Sequence, residues 1–394
     1  MHSGLVKGVA QDKAKTYVLT GATGFLGSHL MASLLEQGHR LIILGRRSDE
    51  GSLAVRIARL LAWFNLEGRQ GQMETAEVDL TKPALGLSQG RYDAICAEAG
   101  PIIHCASDTR FSEQNRPESI ATNVHALAGM VGFAKDSAAP WFHYISTAYA
   151  AGGSLPCCRE ASVMPSGFLN VYEETKAWAE REVAAQCGEH SIPFTIIRPS
   201  IVCGDSRNGR ANRFNALYNH VKALYFIKEI YLNDIRTQGG RKSRCWGIHL
   251  DDNGILHIPL RIVLPQQGII NLIPIDYFVS ATLALLGHGQ SGAIYHLTTD
   301  TPTTVETLAS YCEEFLKIKG IEIVCGHPPD APEQNPPEAL FNRFIEPYRP
   351  YLSDTRVFDR RSTDRWTAGL LPPEFTYPVF ERCMKYAVGV SWGR

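Results

Sequence analysis

Tyr172 and Lys176 lie four residues apart in the segment Tyr-Glu-Glu-Thr-Lys, so on a helix they share one face. A buried ammonium beside a phenol stabilises the phenolate and is expected to lower the tyrosine pKa. Such a tyrosine can give a proton to an oxygen that gains charge as hydride reaches its carbon. Ser146-Thr147, closing the apolar run 141–146, offers a hydroxyl to hold the same oxygen. Tyr-x-x-x-Lys pairs are also common on solvated helices, so their company decides their meaning.

That company is Thr20-Gly21-Ala22-Thr23-Gly24-Phe25-Leu26-Gly27. It lies between an apolar strand pattern (16–20) and a helical pattern (28–37). Gly21 permits a tight turn, Gly24 lets backbone approach a pyrophosphate, and Gly27 allows close helix–strand packing. The helix start adds unpaired N–H groups and a partial positive charge. The spacing is G-x-x-G-x-x-G, and its strand–turn–helix context points to dinucleotide binding.

An NAD-selective fold places Asp or Glu about 20 residues past the glycines, on the ribose 2′-OH. Gly45-Arg46-Arg47 stands there instead, with no acid before Ser48. An acid repels a 2′-phosphate, whereas a guanidinium binds it. NADP(H) is therefore the expected cofactor, against the plainer reading of solvated arginines at a strand end. Asp79 and Leu80 end the third strand pattern, where Asp79 meets an adenine edge or caps the next helix.

These residues need a scaffold, and the first two hundred positions supply one. Strand patterns at 16–20, 40–44, 72–78, 102–105, 141–146 and 194–198 alternate with helical patterns at 28–37, 120–135 and 171–187. Such alternation predicts an α/β fold, a Rossmann-like doubly wound parallel sheet. After Gly204 periodic order weakens through residue 267, and 269–286 reads as a strand running through Pro274 into a helix. The domain expectation is a tail over 1–15, a nucleotide-binding domain over 16–204 plus 268–300, and a smaller discontinuous C-terminal substrate lobe over 205–267 plus 301–394. His327–Pro337, with five prolines, reads as a surface loop.

Composition narrows the class. Lys+Arg 39 against Asp+Glu 40 gives net −1, so no global field draws the chain to nucleic acid or anionic lipid. The apolar stretch 268–287 is broken by Pro274 and Asp276, which argues against a membrane span. Ten cysteines show no C-x-x-C or zinc-ligand spacing, so a reduced cytoplasmic protein without a metal is expected.

TGATGFLG, HCAS (104–107), STAYAAG (146–152), YEETK (172–176) and RPSIVCGDSRNG (198–209) appear in the order of the extended short-chain dehydrogenase/reductases. The chain resembles that superfamily, and within it the thioester-reductase and fatty-acyl-CoA-reductase (male-sterility-type) branch, which also shares Pro274-Ile-Asp-Tyr277. The resemblance implies that Thr147, rather than Ser146, is the catalytic hydroxyl, Tyr172 the general acid, and Lys176 the group that binds the nicotinamide ribose. It implies that Asn123 orders a water near the lysine, or is an ordinary polar helix residue. It also implies that Ala106 and Ser107 pass the cofactor ribose, that Pro199, Ser200 and Val202 line the nicotinamide, and that His104 packs beneath the cofactor.

The implied function is NADPH-dependent reduction of an acyl thioester, on CoA or a carrier protein, to an aldehyde or onward to an alcohol, in fatty-acyl or natural-product metabolism. The alternatives are a ketoreductase, alcohol dehydrogenase or nucleotide-sugar epimerase using the same residues, and a non-catalytic dinucleotide-binding module. The short segment ahead of the first strand leads to the expectation of no fused adenylation or carrier domain, with substrate arriving in trans. Residues 341–394 hold 11 of 37 aromatics, about twice an even share, including Phe341, Phe344, Tyr348, Tyr351, Phe358 and Trp366. They line an acyl or polyketide channel or pack a small subdomain. Arg236, Arg241, Lys242 and Arg244 meet phosphates of CoA or of a phosphopantetheine arm, or form a solvated loop. Cys157-Cys158 reads as incidental.

Overall fold

Val18 and Leu19 are both completely buried, yet they face different cores. The same holds for Ile42 and Ile43 and for Ile102 and Ile103, and Ile196 and Ile197, both buried, face different cores too. Side chains alternate across a strand, so consecutive apolar residues require cover on both faces, as in parallel sheets. The computed structural model describes residues 14–153, 156–162, 166–326 and 333–393. Of the expected tail, all but Ala14 and Lys15 lies outside them.

Seven parallel strands form the central sheet: β1 (Thr16–Thr20), β2 (Arg40–Gly45), β3 (Met73–Glu77), β4 (Ile102–His104), β5 (Phe142–Ile145), β6 (Phe194–Pro199) and β7 (Ala293–Leu297). Their order is β7-β6-β5-β4-β1-β2-β3. The order reverses between β1 and β4, and a ligand crevice opens outside the carboxyl ends of such strands. Helices Phe25–Glu36 and Ile275–His288 cover one face; Ala126–Asp136 and Val171–Glu189 cover the other. The helical pattern at 120–135 is interrupted. A short helix, Arg116–Ile120, passes into a π-turn at Ala121–His125 before the regular helix begins at Ala126.

A third core is built from residues 203–392. Strands Leu256–Leu264 and Ile318–Cys325 pair in parallel there, packed by helices Leu217–Gln238, Val305–Leu316, Pro336–Ile345 and Tyr377–Gly389.

Residues 205–267 are more ordered than expected. The helix of 22 residues from Leu217 buries Leu217, Val221, Leu224, Ile227, Tyr231 and Leu232 along one stripe. Its start carries no capping side chain, Ala216 having φ 49° and ψ −111°, so the usual start signal is missing. The expected loop 327–337 is shorter: Asn335 accepts from the Glu338 N–H and Glu338 reaches back to the Asn335 N–H, starting a helix at Pro336. Its residues 327–332 lie outside the described set.

The C-terminal segment does not stay within that third core. Val357–Phe358 pairs with Cys157–Cys158, and helix Arg361–Trp366 packs beside β7 and helix Ile275–His288. Tertiary contact thus returns residues 357–366 to the sheet domain.

Candidate active site

Gly21, at φ 74°, makes the turn after β1. A Cβ there would stand 2.6 Å from the Ala106 nitrogen, and one on Gly27 would stand 2.2 Å from the Gly21 oxygen. Backbone therefore fills both positions. Gly24 differs: its Cβ would meet only the Gly21 oxygen, at 3.3 Å, and otherwise open space. That bare backbone at a helix start could hold a pyrophosphate. Thr20, fully buried, accepts from the Cys105 and Ala106 N–H groups at 3.2 Å each and shares a 2.9 Å bond with His104 Nδ1. It locks the β4 loop to the turn.

One cavity of about 1160 Å³ begins at this turn. Gly21, Thr23, Gly24, Phe25, Leu26, Gly27, Arg46, Asp79, Leu80, Ala106, Ser107, Pro199, Ser200 and Val202 line it, as do Thr147, Tyr172 and Lys176. Arg47 does not: its side chain is 73% exposed and stands 4.0 Å from Glu77. Arg56 was missed by sequence reasoning. From helix Leu53–Phe64 it lines the cavity, donates to Thr23 Oγ1 at 3.3 Å and to the Arg46 carbonyl. Only the fold brings that helix beside the turn. Asp79 spends Oδ1 on the Thr81 N–H and hydroxyl, at 3.1 and 2.6 Å, so it caps the local turn.

Further along the cavity, helix Val171–Glu189 starts from Asn170, whose side chain accepts from the Glu173 N–H. Tyr172 and Lys176 fall on its first turns. Lys176 is buried; Nζ donates to the Ile145 carbonyl at 2.7 Å and lies 4.2 Å from the centre of the Tyr144 ring. Burial lowers its pKa to about 8. The expected lowering of the Tyr172 pKa is not found: burial raises it, and the hydrogen-bonding Thr147 hydroxyl only partly opposes this. The ammonium is committed to a backbone carbonyl, so desolvation of the phenolate dominates.

Besides its contact with the Tyr172 hydroxyl, Thr147 Oγ1 makes two long bonds, accepting from the Tyr149 N–H and donating to the Pro199 carbonyl, both at 3.4 Å. Ser146 instead donates to buried Glu180, which pairs with buried Arg198. The adjacent hydroxyls are thus separated by their bonds: Ser146 is engaged and Thr147 is loosely held.

Asn123 sits in the π-turn, 2% exposed, and does not line the cavity. Its Oδ1 accepts from the Asp108 N–H and the Ser107 hydroxyl; Nδ2 donates to the Asp108 carbonyl and Thr175 Oγ1. All its side-chain bonding capacity goes to protein, so its place is a strut between the β4 loop and the Tyr172 helix. His104 stacks on Phe142 and Tyr144, and burial lowers its pKa to about 3. It is a neutral packing group.

Beyond the centre the cavity turns apolar. The centre of the Phe111 ring lies 5.9, 5.1 and 5.7 Å from those of Tyr172, Tyr348 and Tyr351. Deeper walls include Val221, Leu224, Ile262, Ile270, Leu308 and Phe341. Of the C-terminal aromatics singled out in the sequence, Phe341, Tyr348 and Tyr351 line this space. Phe358 packs on Tyr149 and His296, Trp366 packs against the sheet core, and Phe344 is exposed. Arg236, Arg241, Lys242 and Arg244 are exposed and outside the cavity. Among the described residues no cluster fits a metal, and no helix is long and apolar enough to cross a membrane.

The fold is similar to solved structures along most of its length. The terminal R domain of the myxalamid PKS-NRPS pathway superposes with a TM-score of 0.72 at 21% identity, covering 95% of this chain and 91% of that one. A thiolation-reductase di-domain from an archaeal non-ribosomal peptide synthetase gives 0.66 at 15% identity, covering 97% and 77%. UDP-glucuronic acid 4-epimerase from Bacillus cereus, in complex with NAD, gives 0.64 at 14% identity, covering 95% and 99%.

Among curated proteins, a nonribosomal peptide synthetase of Aspergillus flavus is 23% identical over 77% of this chain and 28% of its own length. An isonitrile lipopeptide synthase of Streptomyces coeruleorubidus is 26% identical over 52% of this chain and 14% of its own. The chain therefore spans less than a third of the length of these relatives. A family profile described as Male sterility protein, an NAD-binding family, matches residues 19–282. With that match over most of its length, and with the sheet order and dinucleotide turn already seen, the chain belongs to the Male sterility protein family of NAD-binding, extended short-chain dehydrogenase/reductase folds.

Proposed function

We propose that this protein is an NADPH-dependent reductase of an acyl thioester, carried by CoA or by a carrier protein. The observation that carries the reading is the continuity of one cavity from the glycine turn, past Thr147, Tyr172 and Lys176, into an apolar chamber. A nucleotide-sugar site needs polar walls there, whereas Val221, Leu224, Ile262 and Phe341 suit a hydrocarbon. The likeness to terminal reductase domains supports the same choice.

The dinucleotide has a fitting site. Gly24 leaves backbone open to its phosphates, and Arg46 and Arg56, which line the cavity beside the turn, would hold a 2′-phosphate. When bound, the nicotinamide supplies hydride to the acyl carbonyl carbon. The chain's own residues handle the oxygen. Tyr172 is held protonated by burial, the ground state a proton donor requires. Thr147 can turn its hydroxyl from the Pro199 carbonyl to the substrate's carbonyl oxygen while still accepting from the Tyr149 N–H, and a preorganised donor of this kind is worth about 3 kcal/mol. Lys176, charged at neutral pH and anchored on the Ile145 carbonyl, would hold the nicotinamide ribose. Collapse of the resulting hemithioacetal breaks the C–S bond, leaving aldehyde and thiol; a second reduction gives alcohol.

The test is NADPH oxidation by purified protein against acyl-CoAs, acyl carrier proteins, aldehydes and ketones, with free thiol measured in parallel. Thiol release equal to NADPH loss is expected in the thioester arms. Turnover of ketones alone would replace this reading with the ketoreductase one.

A further inference from the structure

Three successive residues at the carboxyl end of β5 are each gripped by a residue of helix Val171–Glu189. The Ile145 carbonyl accepts from Lys176 Nζ at 2.7 Å, the Ser146 hydroxyl donates to Glu180, and the Thr147 hydroxyl meets that of Tyr172. Tyr172, Lys176 and Glu180 follow one another at intervals of four, so they share one face of the helix. Two of these grips involve side chains given a chemical role above. The third does not: Glu180 is buried and does not line the cavity.

The Glu180 carboxylate is the hub of a buried network. Arg198 of β6 donates to it through Nε at 2.8 Å and through Nη2. Arg198 Nη1 lies 3.2 Å from Nε2 of His296 on β7; a guanidinium only donates, so Nε2 accepts. Burial lowers the His296 pKa to about 3, leaving the ring neutral, and Nδ1 donates to the Asp359 carbonyl at 2.8 Å. One carboxylate therefore ties the end of β5, the Tyr172 helix and β6 together, with β7 behind them.

Resting on the roles proposed for Thr147 and Tyr172, though not on the choice of substrate, we infer that Glu180 is a positioning residue: acting through Ser146, it fixes the Thr147 hydroxyl opposite that of Tyr172. Apart from Tyr172, Thr147 Oγ1 has only its two 3.4 Å bonds, so its place depends on the residue before it. Ser146 is held on both sides, its N–H donating to the Ile197 carbonyl at 2.7 Å and its hydroxyl to Glu180. Satisfied buried networks are rigid, and a misplacement of about 1 Å at a reaction centre costs about 10²-fold in rate. The Ser146 hydroxyl serves this geometry, its proton being committed to Glu180.

The experiment is a double-mutant cycle of Ser146→Ala and Thr147→Ala, run on whichever thioester, aldehyde or ketone the protein turns over. Ser146→Ala leaves the Arg198 bonds to Glu180 in place. It should lower kcat about tenfold or more, keep the NADPH Kd within about twofold, and have no further effect on Thr147→Ala. Ser146→Cys, with a weaker donor, should fall between wild type and Ser146→Ala. An unchanged kcat in Ser146→Ala overturns the inference, because the bond to Glu180 is then structural only. So does a loss that adds in full to that of Thr147→Ala, because Ser146 then acts on its own. Turnover of ketones alone removes the thioester reading and leaves this cycle standing. If no carbonyl compound turns over, the crystal structure of Ser146→Ala decides: Thr147 Oγ1 displaced from the Pro199 carbonyl supports the inference, and an unmoved Thr147 overturns it. If Ser146→Ala does not fold, Ser146→Cys takes its place in the cycle and in the crystal.

Discussion

Burial, more than pairing, sets the protonation states of the central side chains. Lys176 falls to about 8 from an ordinary 10.5 because its ammonium is desolvated. Below about 8 it is charged in both folded and unfolded chains, and the cost of burying it is present in full. Between about 8 and 10.5 the folded protein has released a proton the unfolded chain keeps, so this penalty fades as pH rises. Activity should move the other way. With the ammonium holding the nicotinamide ribose, kcat/KM is expected to fall as pH rises through about 8; a level profile across that range would show that its charge is not used. Tyr172→Phe should lower kcat by about 10²-fold or more while leaving the NADPH Kd nearly unchanged, read by turnover and by fluorescence titration. Arg46 lines the cavity and Arg47 does not. Arg46→Ala should therefore raise the KM for NADPH more than that for NADH, and Arg47→Ala should change neither by more than about twofold.

At the scale of elements, the turn between β1 and helix Phe25–Glu36 separates packing from binding. A Cβ on Gly27 would overlap the Gly21 oxygen at 2.2 Å, whereas one on Gly24 meets it at 3.3 Å with open space beyond. Gly27→Ala should cost about 2–3 kcal/mol of stability and weaken NADPH binding as well. Gly24→Ala should melt near the wild type yet bind NADPH at least about tenfold more weakly, because its methyl occupies the phosphate cradle. Melting temperature and NADPH affinity measured together separate the two. The strands that carry these turns were legible because residues buried on both faces form unbroken apolar runs. Helix Leu217–Gln238 was not, since its apolar stripe lacks a capped start, and neither was the π-turn that aims Asn123.

Across the whole molecule, the C-terminal segment braces the start of the Tyr172 helix. Arg356, 5% exposed, pairs with fully buried Glu173 at 3.0 Å and with Asp354 at 2.6 Å. Its guanidinium also lies 4.8 Å from the centre of the Tyr149 ring. Nearby, Asn170 Nδ2 donates to the Tyr351 hydroxyl at 2.8 Å. Removing one member of a buried ion pair strands the other charge, so Arg356→Met should cost about 3–5 kcal/mol. Adding Glu173→Gln should recover part of that loss in denaturant titrations. A simple surface role would instead show as an unchanged unfolding midpoint.

The fold class, the glycine turn and the Tyr172–Lys176 pair were readable along the chain because each is a local pattern of spacing and periodicity. So was the preference for Arg46 over an acid after β2. Contacts between distant residues were not readable in that way. Only packing could commit Ser146 to Glu180 while leaving Thr147 loosely held, turn Arg47 outward, and bring Arg56 beside Thr23. Only packing could raise the Tyr172 pKa that spacing alone had suggested would fall. Desolvation and hydrogen-bond commitment depend on everything that surrounds a group in space, and those surroundings are assembled here from residues as far apart as 21 and 356.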